Sequence, residues 1–150
     1  MQDREQFVTL FREIHPKFAR FHIHILARIG LTLPQYALLD QLTTQDALSM
    51  TEIGRRLRIT KPAVTHLVDH LEKKKCLKRV PHPKDRRIIL LSIQPKGEKA
   101  VASMRTRFLE FLLKSFDLLN VQEQKTIRRF YKILSSNVDE FFKGEKYHEE

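Results

Sequence analysis

Cysteine occurs once among the 150 residues and tryptophan not at all. A lone thiol excludes an intramolecular disulfide framework and fits a reducing compartment, so a hydrophobic core must hold the fold. Only 4 glycines and 6 prolines are present, which leaves few places for loops and predicts long helices. No apolar run approaches the roughly 18 residues needed to span a bilayer. The N-terminal residues also lack a signal-type apolar segment. The expected setting is therefore cytoplasmic, with no membrane partner. A P-loop, a Gly-rich nucleotide turn, an HExxH and paired Cys motifs are all missing, so neither an enzyme nor a bound cofactor or metal is expected.

Hydrophobic residues make up 41% of the chain and charged residues 31%, the balance of a folded protein with one sizeable core rather than a disordered one. The net charge of +10 asks for an anionic partner, either nucleic acid or a membrane surface. Its placement is more telling than its size. Between Arg55 and Arg87 twelve Lys or Arg stand against three acids, Asp69, Glu72 and Asp85, so nine of the ten net charges lie in that window. Such concentration marks a binding surface, where an evenly solvated charge run would be spread along the chain.

From Phe7 to Ile29 the apolar residues Phe7, Leu10, Phe11, Ile14, Phe18, Phe21 and Ile25 recur at steps of three and four. They predict a long amphipathic helix, kinked or broken at Pro16 and ended by Gly30. Three helix starts follow. Thr32 with Gln35, and Ser49 with Glu52, have capping-box spacing; Thr60 is an N-cap with Pro62 in the first turn. The second and third of these helices are separated only by Arg58 to Thr60, which makes a helix-turn-helix. The third buries Val64, Leu67, Val68 and Leu71 and turns Lys61, Thr65, His66, Asp69, His70 and Lys73 outward. Leu77 to Val80 and Ile88 to Ile93 read as strands joined by Pro81-His82-Pro83-Lys84-Asp85-Arg86-Arg87, a cationic wing. A further long helix carries Val101, Met104, Phe108, Phe111, Leu112 and Phe116 on one face. Asn120 with Glu123 opens the last, which is apolar through Ile127, Phe130, Tyr131, Leu134, Val138, Phe141 and Phe142. These stripes exceed what a small wing domain can cover, so the first and the last two helices are expected to pack together in a dimer. The tail from Lys143 to Glu150 is charged and expected to fray.

The order and spacing of LTLPQYALL (Leu31 to Leu39), TEIGRRLRI (Thr51 to Ile59), THLVDHLEKK (Thr65 to Lys74) and KRVPHPKDRRIILLSIQPKG (Lys78 to Gly97) resemble the MarR family of bacterial transcriptional regulators. The likeness extends over nearly the whole chain, and Asp85-Arg86-Arg87 is similar to that family's acid-x-Arg wing feature. It implies a mainly α (α+β) chain, 1–150 as a single MarR-like domain. Residues 32–94 would form the winged helix-turn-helix, and 1–30 with 96–143 the dimerisation helices. It further implies a homodimer that binds double-stranded DNA at a pseudo-palindromic operator, most often as a repressor, and that a small molecule or another signal releases.

On that reading the helix from Lys61 enters the major groove, where Lys61, Pro62, Thr65, His66, His70 and Asp69 reach base edges or phosphates. Arg87 extends from the wing into the minor groove. Asp85 braces the wing arginines, and Lys84, Arg86, Arg55 and Arg56 meet phosphates. An effector would enter near Phe18, Phe21, Phe108 or Phe111, residues that serve equally well as plain core. Family members often carry Arg where this chain has His66 and His70, so tighter DNA binding is expected as the pH falls from about 8 to 6. Cys76 stands where a helix-ending Gly is usual in the family; a redox switch and a semi-buried inert thiol are the two readings. His66 and His70 also have the i, i+4 spacing of a metal pair, but they sit on the expected DNA face, and His15, His22 and His24 read as structural or surface histidines. The competing function is a winged-helix module that binds RNA or a protein partner without operator recognition.

Overall fold

The computed structural model describes residues 2–45 and 47–145. In chain order the elements are α1 (Gln2–Arg28), α2 (Leu33–Thr44), β1 (Leu48–Ser49), α3 (Met50–Leu57), α4 (Lys61–Lys73), β2 (Leu77–Pro81), β3 (Ile89–Ile93), α5 (Pro95–Phe116) and α6 (Val121–Glu145). This is a mainly helical chain with a small antiparallel sheet, a winged helix-turn-helix. Of the tail expected to fray, 146–150 lies outside the described residues, while α6 continues through Glu145.

The helix starts follow from side chains that satisfy the first orphan N–H groups. At α2 the box is complete: Thr32 Oγ1 accepts from the Gln35 N–H at 3.4 Å and the Thr32 N–H donates to Gln35 Oε1 at 3.1 Å. Asn120 and Glu123 close a second full box at α6, with bonds of 2.8 and 3.0 Å. The expected box at α3 is only half formed. Ser49 Oγ accepts from the Glu52 N–H at 3.1 Å, but the Glu52 carboxylate is drawn away by arginines on its own helix. Thr60 caps α4 through the Ala63 N–H. Pro16 neither breaks nor starts α1, which runs through it as one helix and begins before Phe7.

Three helix ends, those of α1, α3 and α4, use left-handed residues. Gly30 closes α1 with φ +74°, a conformation that glycine adopts without steric cost. Arg58 and Lys75 occupy the same region at φ 52° and 59°. After α4 the Lys75 N–H bonds to the Glu72 carbonyl and the Cys76 N–H to the Leu71 carbonyl, both at 2.9 Å, which is the Schellman pattern. The left-handed position that ends α4, one that favours glycine, is therefore taken by Lys75, and Cys76 follows it.

The sheet order is β1-β3-β2. Leu77 to Pro81 pair with Ile93 to Ile89, and Leu48 and Ser49 pair with Leu91 and Leu90. β1 was not expected, because two residues carry no readable alternation. The strands lie against one core in which Leu38, Leu39, Ile53, Val64, Val68, Leu71, Leu77 and Leu91 are fully buried, joined by Leu26 from α1 and by Val101 and Met104 from α5. Leu67, expected inside, is only partly buried. α5 leaves β3 so closely that a Cβ on Gly97 would lie 2.2 Å from the Cys76 carbonyl oxygen, so glycine is required there by contact rather than by dihedral angle.

The chain divides into two compact units, the first running to Phe108 and the second from Leu109. The first contains the winged helix and the whole core just described. Within the second, Gln124 Nε2 donates to the Leu119 carbonyl at 3.0 Å and holds the turn before α6. The apolar stripe expected to be buried along α6 is open on this chain, with Phe141 62% and Tyr131 56% exposed; so is the start of α1, at Phe7 and Phe11.

Candidate nucleic-acid interface

α3 and α4 form the helix-turn-helix, and the buried stripe of α4 fixes which residues face out. Lys61, Pro62, His66, Asp69, His70 and Lys73 are exposed and Thr65 is half-buried. The Thr65 hydroxyl donates to the Lys61 carbonyl at 3.1 Å, so towards a ligand it offers its acceptor lone pairs. The His66 and His70 rings meet edge to face, with centroids 4.5 Å apart.

Asp69 is already engaged. Arg79, on β2, reaches it with Nη2 at 2.7 Å and also pairs with Glu72, whose other oxygen accepts the Arg79 backbone N–H at 3.2 Å. The carboxylates of Asp69 and Glu72 push the guanidinium further into its charged range. This cluster ties α4 to β2, the first strand of the wing. Asp69 thus has a partner within the protein through Oδ1, while half of its side chain stays exposed.

Arg55 and Arg56 share Glu52. Arg55 grips it bidentately at 2.8 and 3.1 Å, and Arg56 Nε bonds at 2.8 Å. The hydrogen bonds from Arg55 and Arg56 hold the Glu52 carboxyl down at about 2. Arg56 also bonds Gln41 and, at 2.8 Å, Gln45, which makes it a clamp between α3 and α2. Arg55 stays the more open of the two, with 68% of its side chain exposed.

At the wing tip Lys84, Asp85, Arg86 and Arg87 are all exposed. Asp85 Oδ1 accepts the Arg87 backbone N–H at 3.0 Å, so its brace acts on the main chain that carries Arg87. His82 Nδ1 accepts the N–H groups of both Lys84 and Asp85 at 3.2 Å. Two side-chain acceptors thereby hold the main chain of a loop that is otherwise built of charges.

Cys76 is 3% exposed. Burial pushes its thiol up, against smaller opposing pulls from Lys96 and Lys74. A thiol held protonated and covered is a poor nucleophile and a poor redox sensor, so the inert reading is the one the structure supports. Among the described residues no group of three or more His, Cys, Asp or Glu is placed to hold a metal. None of the described helices is long and apolar enough to cross a membrane. Phe18 and Phe21 do meet Phe108, at 6.1 and 6.2 Å between centroids. His22 joins them, 4.3 Å from the Phe108 ring, with Nδ1 2.9 Å from the Phe18 carbonyl. The fourth expected member, Phe111, belongs to the second unit.

The residues that the sequence reading passed over are Arg79, Lys74 and His82. Lys74 bonds the Gly30 carbonyl, capping the end of α1 from the end of α4. Nothing local distinguishes Lys74 or Arg79 from their basic neighbours. His82 had a signal, a single imidazole between two prolines in a strongly charged loop.

Residues 29–88 match the family model described as the MarR family. The chain is 32% identical over 111 residues to the HTH-type transcriptional repressor MdtR of Bacillus subtilis, covering 69% of each chain. Among solved structures it is similar to the YusO protein of Bacillus subtilis, with a TM-score of 0.82, 22% identity, and 90% and 96% of the two chains covered. It also resembles a point mutant of S. aureus MepR bound to an oligodeoxyribonucleotide, with a TM-score of 0.72, 27% identity, and 87% and 96% covered. The relatives matched in sequence are transcriptional regulators, not enzymes. An exposed cationic helix face beside a basic wing, on this fold and with these relatives, places the chain in the MarR family of transcriptional regulators, with the winged helix as its DNA-binding part.

Proposed function

We propose that the protein is a cytoplasmic homodimeric repressor that reads a pseudo-palindromic operator with two copies of its winged helix. The observation that carries this is the pairing of two exposed basic elements on one rigid frame: the face of α4 and the wing tip, tied by Arg79 to Asp69 and Glu72. Lys61, Pro62, Thr65, His66 and His70 meet the major groove, and Arg87 enters the minor groove, whose negative potential suits a guanidinium. Lys84, Arg86 and Arg55 meet phosphates. The exposed apolar residues of α1 and α6 supply the surface that a second copy covers, which would set two reading heads on half-sites about 10 bp apart. Repression is supported by the MdtR likeness, and the DNA partner by the oligonucleotide-bound MepR structure.

Gel shifts with the DNA upstream of the protein's own coding region test this. Binding should be specific and steeply salt-dependent, because several phosphates are neutralised per dimer. Arg87→Ala should weaken operator binding by about 1–3 kcal/mol with the dimer intact. Full affinity in that variant would remove the wing from the reading. Release by a small molecule acting between Phe18, Phe21 and Phe108 would require those packed rings to part. A thermal-shift screen of phenolic ligands, metals and peroxide, repeated on Phe108→Ala, tests that step.

A further inference from the structure

The wing tip is folded around one imidazole. His82 is half-buried between Pro81 and Pro83. Its Nδ1 lies 3.2 Å from the backbone nitrogens of Lys84 and of Asp85, and its backbone N–H donates to the Ile88 carbonyl at 3.0 Å. Asp85 completes the loop: its carbonyl accepts from the Ile88 N–H at 3.1 Å and its Oδ1 from the Arg87 N–H at 3.0 Å. The two prolines have no N–H to give, so these acceptors supply much of what orders the tip.

Nδ1 can accept only in the neutral ring that carries its proton on Nε2. A second proton turns Nδ1 into a donor facing two other donors. Both bonds are then lost, and the stretch that presents Lys84, Arg86 and Arg87 is no longer held. The charged neighbours are Lys84, Asp85, Arg86 and Arg87 in the tip and Lys78 and Arg79 on β2. Arg79 is turned towards Asp69 and Glu72 of α4. The other strand, β3, is Ile-Leu-Leu-Ser-Ile and has no ionisable side chain.

We propose that His82 is a positioning residue for the wing and makes the wing's grip on DNA depend on a neutral imidazole, a side chain whose charge changes between pH 5 and 8. The consequence for DNA rests on the functional reading above; the consequence for the loop does not. Its sign is also opposite to that of His66 and His70, where added charge strengthens phosphate attraction.

The test is NMR of the full chain from pH 8 to 5, without DNA. The Lys84 and Asp85 amide signals should shift with the midpoint of the His82 ring. In His82→Asn they should stay in place, because the Asn Oδ1 takes the Nδ1 position and does not titrate; His82→Gln, which puts its oxygen elsewhere, should not rescue. In gel shifts His82→Asn should match wild type at pH 8 and bind several-fold tighter than wild type at pH 6. Both proteins carry His66 and His70, so their ratio isolates His82. Lys84 and Asp85 amides that stay fixed while the ring titrates overturn the proposal, as does an unchanged wild-type to His82→Asn ratio across that range. Because the NMR arm needs no DNA, a failure of the operator reading leaves it able to decide.

Discussion

The winged-helix core and the last helix use apolar stripes of like spacing to different ends. In the core, Leu39, Ile53, Val64 and Leu71 are fully buried within one chain. Along α6, Phe130, Leu134, Val138 and Phe141 recur at the same helical spacing and remain 42–62% exposed. The periodicity is alike in both; the burial differs. The core is complete in one chain, whereas α6 leaves an apolar stripe exposed, the kind of surface that the proposed dimer would cover.

Leu71→Ala tests the first half of that contrast and carries the largest expected effect. It deletes a fully buried side chain where α4 meets the core, so denaturant unfolding at fixed protein concentration should show a loss of about 2–5 kcal/mol. Substitutions at the ends should act on assembly instead. Phe11→Ser and Phe141→Ser, at positions 54% and 62% exposed on the single chain, should leave the far-UV spectrum close to wild type while sedimentation shows a dimer weakened at least tenfold. If either variant unfolds rather than dissociating, the contrast breaks, because the terminal helices would then belong to the core's cooperative unit.

This division explains what could be read in the sequence. Helix starts were legible because caps are local: Thr32 with Gln35, Thr60 and Asn120 each announce themselves within four residues. Most of the buried face of α4 was legible from period alone, Leu67 excepted. The stripe of α6 has the same period, and whether its own chain or another covers it is not encoded in spacing. At the candidate site the outward set from Lys61 to His70 followed from the period of α4. The roles of Asp69 and Arg56 did not, because their partners, Arg79 and Gln41, are brought to them by the fold. The half-formed box at Ser49 shows the same limit: Glu52 had the right spacing, but two arginines within four residues outcompeted the cap.

A smaller effect sharpens the comparison from inside the core region. That region is well packed yet ends two helices with non-glycine residues at positive φ, Arg58 and Lys75. A Cβ in the left-handed region costs roughly 1–2 kcal/mol, part of which glycine returns through its freer unfolded chain. Lys75→Gly should therefore stabilise by about 0.5–1 kcal/mol in thermal or urea unfolding, without changing self-association. A neutral or destabilising result would mean that the Lys75 side chain makes up the cost by its own interactions.

The smallest expected effect concerns Glu52, and it is a matter of pH. Its carboxyl is held at about 2, below the ordinary 4.5, by the hydrogen bonds of Arg55 and Arg56. A depressed carboxylate contributes stability that is fully present above its unfolded pKa and is lost as the pH falls through the folded one. The contribution of Glu52 should therefore be constant above about pH 5 and fade between pH 4.5 and about 2. Glu52→Gln should lower the urea midpoint slightly at about pH 6, less at about pH 4 and scarcely at all at about pH 2. A difference that stays constant over that range would show that the carboxylate's charge is not what α3 gains from Glu52. Because the substitution also releases Arg55 and Arg56 from a competing anion, the same variant should bind DNA more tightly at low salt. A loss of stability joined to a gain in affinity would separate the work these arginines do inside the fold from what they offer to phosphate.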